Sequence, residues 1–352
     1  MSRSEATEDK RDIRPASNTL RRAPIGLLIL VTVIAALGAA CIGRYQIDPI
    51  TLVRVLASRV VAVHATWPQS TETALFQVRL PRIGVAMLVG TALSVSGTSF
   101  QGVFRNPLVS PFILGVSAGA GFGAAIAILL GGDTLAIQLS AFGFGGIAVV
   151  AAVLLSRLYS SNPTLILVLS GIIVGGVFTA LLALMKYTAD PDNKLPVIEY
   201  WLLGSLSGSR PSVLIGLAAI TLPVTALIIA LRWRLNLLVF GDETAHALGI
   251  NVKRERLLHI TLATILASTA VAVCGIVGWV GLVVPHLSRL IVGPDHVRLL
   301  PTTAFLGAVF VLVVDTLARS LTSAEIPLGI VTALVGAPVF AVLLRRGERA
   351  WM

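Results

Sequence analysis

Four lysines, five histidines, two cysteines and one clear carboxylate inside an apolar run bound the chemistry open to this 352-residue chain. A nucleotide-binding P-loop needs Gly-x-x-x-x-Gly-Lys followed by Ser or Thr, so that backbone N–H groups cradle phosphate. Here Lys10, Lys186, Lys194 and Lys253 are followed by Arg, Tyr, Leu and Arg, which excludes that motif. Cys41 and Cys274 are far apart in apolar surroundings, so neither a disulfide framework nor a metal cluster is expected. His64, His246, His259 and His296 have no ligand spacing, and no Ser/His/Asp constellation appears. His286, directly after Pro285, could face a pathway, but a lone histidine is more often a packed polar residue. Asp315 lies in an apolar run, where a carboxylate costs about 2.5–3.5 kcal/mol on insertion scales. Arg319, one turn later, offers it an i,i+4 partner, and a structural pair is favoured over a ligand role. Arg79 and Arg82 flank Leu80-Pro81 at the start of an apolar run, as an arginine pair at the water boundary or as snorkelling side chains.

What positions these groups is set by composition. Apolar residues make up 56% of the chain and charged ones 12%, with a mean hydropathy of +0.90. A soluble domain carries about 25% charged residues, so lipid must surround most of this one. Backbone groups unpaired in hydrocarbon cost several kcal/mol, and continuous apolar runs select helices over barrel strands. Apolar runs predict ten spans: 23–43, 79–104, 112–130, 135–157, 164–185, 211–231, 257–279, 282–292, 301–318 and 327–345. Gly275, Gly278, Gly281 and Pro285 favour two pieces where one long helix could otherwise run. Residues 1–22 read as a cytoplasmic tail with no cleavage site following, and 347–352 as a C-terminal cytoplasmic tail, flanking one membrane domain, 23–346.

The net charge of +10 comes from basic residues scattered between apolar runs, which argues for topology and against nucleic acid. With both termini inside, Lys and Arg divide 18 inside to 9 outside, as the positive-inside rule requires. Five of the nine, Arg44, Arg54, Arg59, Arg79 and Arg82, lie between the first span and the start of the second and point to a partner. Sliding the chain on itself by 178 residues pairs Ala92–Gly97 with Ala270–Gly275, Pro107 with Pro285 and Gly115 with Gly293. Five spans per copy would make the halves, about 23–187 and 211–346, an inverted repeat of the kind found in transporters.

Three stretches go further: RLPRIGVAMLVGTALSVSGTSFQGVFRNPLVSPFILGVSAGAGFG from Arg79, VGLVVPHLSRLIVGPDH from Val280, and DTLARSLTSAEIPLGIVTALVGAPVF from Asp315. In this order they closely resemble the FecCD-like permease family serving iron-siderophore, haem, cobalamin and some molybdate importers, the type II ABC import systems. The resemblance runs from the first span to the C-terminus. It implies an all-α permease of about ten helices in the bacterial inner membrane, paired with a second copy or a homologous permease around a path at the interface. It also implies two ATPase subunits that hold ATP and Mg, no cofactor on this chain, and a periplasmic or lipid-anchored substrate-binding protein.

Residue by residue, the resemblance places Arg79, Arg82 and Arg319 where acidic knobs of the binding protein dock. It makes the connection 232–256, and within it Gly241, Asp242, Glu243, Ala245, Ala247, Leu248 and Gly249, the segment coupling to the ATPase. The residues are consistent with that: Asp242 and Glu243 suit a helix N-terminus and Gly249 a C′ stop, with Ala245 and Ala247 permitting close approach and Leu248 as anchor. A solvated loop is the alternative. Arg105-Asn106-Pro107 turns the chain, and the glycines of 115–123 pack helices. Gln101, Asn106, Pro107, Ser117, Pro285 and His286 are the pathway or gate candidates, with helix packing the favoured role of Gln101 and Ser117 and pathway lining the lesser one. An iron chelate is the expected cargo, on family prevalence alone, with cobalamin and molybdate as alternatives. An ion-coupled secondary transporter is the runner-up of another class; it is disfavoured because Asp315 stands nearly alone within the spans.

Overall fold

The computed structural model describes residues 25–43, 45–61, 64–159, 163–239 and 241–351, and among them there is no strand. The N-terminal tail lies outside the described residues. The chain opens with α1 (Ile25–Cys41), α2 (Pro49–Ala57), α3 (Gln69–Thr73), a π-helical turn over Ala74–Arg79 and α4 (Leu80–Phe104). A 3-10 turn at Pro111–Leu114 leads into α5 (Val116–Leu129), α6 (Thr134–Ser156), α7 (Pro163–Thr188) and α8 (Lys194–Leu203). After these come α9 (Pro211–Ala230), α10 (Arg232–Val239), α11 (Asp242–Ala247) and α12 (Val252–Cys274). The chain closes with α13 (Val280–Val292), α14 (His296–Ser320) and α15 (Leu328–Trp351). Six helical stretches are long and apolar enough to cross a membrane, and α1, α5, α13 and residues 328–343 of α15 are shorter apolar helices. All ten expected spans therefore coincide with apolar helices; α2, α8 and α10 lie between spans and were not expected.

The helix carrying Arg79 begins earlier than its sequence suggests. Gln69–Phe104 is one run of 36 residues, about 54 Å at 1.5 Å per residue, far longer than a hydrocarbon core of about 30 Å. Pro81 is therefore inside a helical run and not at its start. The preceding π turn accommodates a residue that has no N–H and whose ring crowds the preceding turn.

Burial is distributed unevenly, and the reason is in the residue sizes. In its span α4 is 78% buried, against 22% for the spans of α7 and α9. It packs against α14, α12, α13 and α9. Lipid tails are as apolar as leucine, so helices associate in a bilayer through close packing and interhelical hydrogen bonds. On α4, a Cβ on Gly90 would overlap the Gly307 carbonyl of α14, and one on Gly97 would overlap the Gly281 carbonyl of α13. Hydroxyls then join the surfaces: Thr91 donates to Ala304 O at 3.1 Å, Ser94 to Thr303 O at 3.1 Å and Ser96 to Ala263 O at 2.7 Å. In contrast, α1, α6, α7 and α9 expose Ile34, Leu139, Ile172 and Ile215, surfaces that suit hydrocarbon and not water.

The glycine-rich interval after α12 separates two helices, as its composition predicts. Gly275 ends α12 with φ +72°, and Trp279 enters α13 at φ +68°, a strained conformation for a residue with a side chain. Packing holds it there: Trp279 presses against Gly336, and its ring lies 6.2 Å from that of Phe340. Non-helical backbone at membrane depth requires protein around it; here Val277 is fully buried and Ser205 N donates to Cys274 O at 2.9 Å. At the 178-residue pairing the two copies differ locally, because Gly97 lies inside α4 whereas its counterpart Gly275 closes α12.

Replacing Gly90 by valine is expected to cost about 1–3 kcal/mol or more through forced separation of α4 and α14. Gly143, where an added methyl group would meet nothing within 4 Å, is the control. Thermal melting of both variants in detergent checks this; equal melting temperatures would contradict the close-approach account.

Candidate functional site

Two polar clusters stand at opposite ends of the helix bundle. The first begins with α1, whose last carbonyls have no partner within the helix. Arg79 donates to Ala40 O and Tyr45 O, and Arg319 donates to Ala39 O, so two cations from α14 and the π turn cap the negative end of α1. Beside them, Arg82 donates from Nε and Nη2 to Asp315 at 3.0 and 2.8 Å. Its Nη1 and Nη2 also donate to Glu325 at 2.9 and 3.0 Å. Both carboxylates thus share one guanidinium, the two-pronged geometry that makes arginine–carboxylate bonds strong.

This corrects two expectations. Arg79, Arg82 and Arg319 are not free cations at the water boundary: Arg79 and Arg319 are buried, and the Arg82 side chain is only 11% exposed. Nor is Arg319 the main partner of Asp315, since it approaches only to 3.7 Å while Arg82 holds the carboxylate directly. Glu325, in the loop before α15, was missed altogether. Its signal was the charge count, three arginines against one foreseen acid. Together with Tyr45, Ala74, Val78 and Ile83, these five charged residues line a cavity of about 190 Å³.

The second cluster surrounds α11. Gly241 enters it at φ +106° and Gly249 leaves at φ +80°, with Gly249 N donating to His246 O at 2.9 Å and Ile250 N to Ala245 O at 3.1 Å. A two-turn helix with a glycine stop therefore replaces the solvated-loop alternative. Asp242 is held by Arg256 of α12 at 3.0 Å and by Arg105, which closes α4 in a left-handed conformation at φ +50°. One carboxylate so clamps α11 to α4 and α12, a tie the sequence does not reveal because its partners are 137 and 14 residues away. Ala247 and Leu248 point outward, Leu248 being 59% exposed, and Glu243 is exposed. Ala245 is fully buried, which corrects its expected role as a contact for a partner.

Nearby, Asn236 of α10 donates to Asp295 at 2.7 Å and accepts from His296 N at 2.9 Å, joining α10 to the start of α14. Burial pulls the Asp295 carboxyl upward, but the Val297 N–H, the Asn236 amide and the charge of Arg298 outweigh it and hold it below the ordinary carboxylate range.

The gate candidates differ in their surroundings. Gln101 and Ser117 are buried within the helix packing, with Gln101 Nε2 donating to Gly281 O at 3.4 Å, which fits the packing role favoured for them and not the lesser pathway-lining one. Asn106 is exposed and accepts from Leu108 N at 2.9 Å, fixing the turn that Pro107 continues. Pro285 is buried in α13; His286 is half-buried, its ring 5.1 Å edge-on from Phe340. Among the described residues no three His, Cys, Asp or Glu side chains converge as a metal site requires.

Apolar helices packed by small residues, polar clusters confined to the two ends, and a broken helix near the middle define a multi-pass membrane transport protein. Residues 27–346 match the FecCD transport family, and the chain belongs to it. It is 42% identical over 328 residues to the molybdate import system permease protein MolB of Haemophilus influenzae, covering 93% of this chain and 95% of that one. To the hemin transport system permease protein HmuU of Yersinia pestis it is 37% identical over 335 residues, covering 92% and 96%. A solved inward-facing conformation, assigned to the metal-chelate type of ABC transporter, superposes with a TM-score of 0.81 at 41% identity over 92% of this chain and 98% of that one. The chain is accordingly an ABC importer permease with the all-helical type II fold expected from its motifs.

Arg82→Met is expected to destabilise the protein by about 3–5 kcal/mol, because it leaves Asp315 buried without its partner. The double variant Arg82→Met/Asp315→Leu should recover most of that loss. Melting of the three proteins in one detergent decides it, and equal loss in the single and double variants would contradict a coupled buried pair.

Proposed function

We propose that this chain is the membrane subunit of an importer driven by two separate ATPase subunits, which hold ATP and Mg and dock on α11. The observation that carries this reading is the clamp at Asp242: it joins α11 to α4 and α12 while leaving Ala247 and Leu248 exposed. A force applied at Leu248 would then reach the most buried helices of the fold. Glu243 and the glycine termini Gly241 and Gly249 complete the coupling segment.

In this reading both termini are cytoplasmic and the membrane is the bacterial inner membrane, in agreement with the 18 to 9 division of basic residues. The residues 23–187 and 211–346 act as two inverted halves of one domain, and the pathway runs between this chain and a second copy or a homologous permease. The sparsely buried α7 supports such an arrangement. A periplasmic or lipid-anchored binding protein docks around the cavity of Arg79, Arg82 and Arg319, where an acidic side chain can compete with Glu325 for Arg82.

The cargo is a metal-containing compound. An iron chelate, siderophore or haem, is the first reading, supported by the likeness to the hemin permease. Molybdate is the second, favoured by 42% identity over nearly the whole chain to a molybdate permease. Cobalamin remains a family alternative.

Proteoliposomes containing this chain should take up cargo only when supplied with the ATPase subunits, the binding protein and ATP. Parallel assays with radiolabelled ferric chelate and molybdate choose between cargoes. Leu248→Asp should lower uptake about tenfold or more, since losing an apolar interface anchor costs about 2 kcal/mol, while the ATPase continues to hydrolyse. Uptake without ATPase subunits would refute the reading, and full uptake by the Leu248→Asp variant would remove the coupling assignment.

A further inference from the structure

At the end of the bundle that carries α11, the helices leave a groove of about 1250 Å³. Its floor is the last turn of α6, with Val153 and Ser156, and its walls are Leu167 of α7 and Leu257 and Ile260 of α12. Pockets for drug-sized ligands span about 300–1,000 Å³, so the groove is too large for an inorganic ion and admits a bulky amphiphile. Its depth is apolar. Its mouth carries Arg157, Lys253 and Arg254, all exposed, and none of the three pairs with an acid among the described residues. The acids that also face the groove are Asp242, already engaged by Arg105 and Arg256, and Glu243. Three uncommitted cations thus stand against one uncommitted carboxylate.

The level of the groove is set by the helices around it. Ser156 is the last residue of α6, while α7 starts at Pro163 and α12 at Val252, so its mouth lies where three apolar helices meet the headgroup layer. Leu154, Leu158, Leu165 and Leu169, on and just beyond α6 and on α7, are all exposed. Both α6 and α7, which supply Val153, Ser156 and Leu167 to the groove, thus also carry surface suited to lipid. Basic pockets between membrane helices on the cytoplasmic side are suited to anionic headgroups, and anionic lipid is enriched in that leaflet.

We propose that this groove binds an anionic phospholipid of the cytoplasmic leaflet, with Arg157, Lys253 and Arg254 on the phosphate and Leu257 and Ile260 against the first methylenes of an acyl chain. The assignment rests on the orientation proposed above; it needs neither the ATPase nor the cargo. A lipid there braces the start of α12 against the end of α6, next to the α11 clamp.

The test uses the purified full-length chain, stripped of lipid in detergent and titrated with phosphatidylglycerol, phosphatidylcholine or inorganic phosphate. Melting temperature and native mass spectrometry are the readouts. Phosphatidylglycerol should stabilise the wild type and remain bound at one molecule per chain, while phosphatidylcholine and phosphate should do neither. In Arg157→Gln/Lys253→Gln/Arg254→Gln the phosphatidylglycerol midpoint should rise on the order of 100-fold, since each basic contact contributes about a factor of five. Arg157→Lys/Lys253→Arg/Arg254→Lys keeps the charges and should keep the response, which separates lost binding from lost folding. An equal response to phosphatidylcholine, a response to phosphate alone, or an undiminished phosphatidylglycerol response in the glutamine variant would each overturn the proposal. So would a glutamine variant whose only defect is failure to hold an ATPase subunit or a second copy, which would make the groove a protein interface.

Discussion

The contact between α4 and its neighbours is the constraint from which the rest of the molecule follows. With hydrocarbon on the outside, burying leucine against leucine gains little, so cohesion must come from backbones brought close enough for dispersion and for hydroxyl-to-carbonyl bonds. Gly90 against Gly307 and Gly97 against Gly281 supply that closeness, and Thr91, Ser94 and Ser96 supply the bonds. A helix gripped in this way cannot move by itself, so any displacement at one of its ends must carry α13 and α14 along. That rigidity lets a small cluster at either end of the bundle act on the whole.

The two ends use one chemistry for different purposes. Where α1 finishes, arginines satisfy orphan carbonyls and a pair of carboxylates, so charge closes the structure over a small cavity. Where α4 finishes, Asp242 draws two arginines from separate helices onto a short helix that otherwise faces outward. In the first case the arginine is enclosed, and losing its partner is costly. In the second, the acid is half exposed and its bonds set direction more than stability.

Much of the architecture was legible from residue order. Apolar runs located ten helices, Gly275 and Gly278 located the break between α12 and α13 whereas Pro285 proved to lie inside α13, and Asp242 with Gly249 located α11, because each of these depends on neighbours within a few positions. The starts of helices were less legible: Pro81 reads as a first-turn residue, yet a π turn carries the helix back to Gln69. The candidate site was legible in its members but not in their roles. Arg79, Arg82 and Arg319 stood out, and their partners did not.

Local order, then, was enough to establish a lipid-solvated helical permease and its family, since hydropathy and contiguous motifs are properties of short windows. Only the folded arrangement could decide that Arg82 belongs to Asp315 and Glu325, that Arg79 and Arg319 cap α1, and that Ala245 and Gln101 are enclosed. The physical reason is distance along the chain. A guanidinium in a helix bundle takes whichever oxygen the packing brings within reach, and for Arg79, Arg82 and Arg319 the oxygens they hold directly lie 34 to 280 residues away.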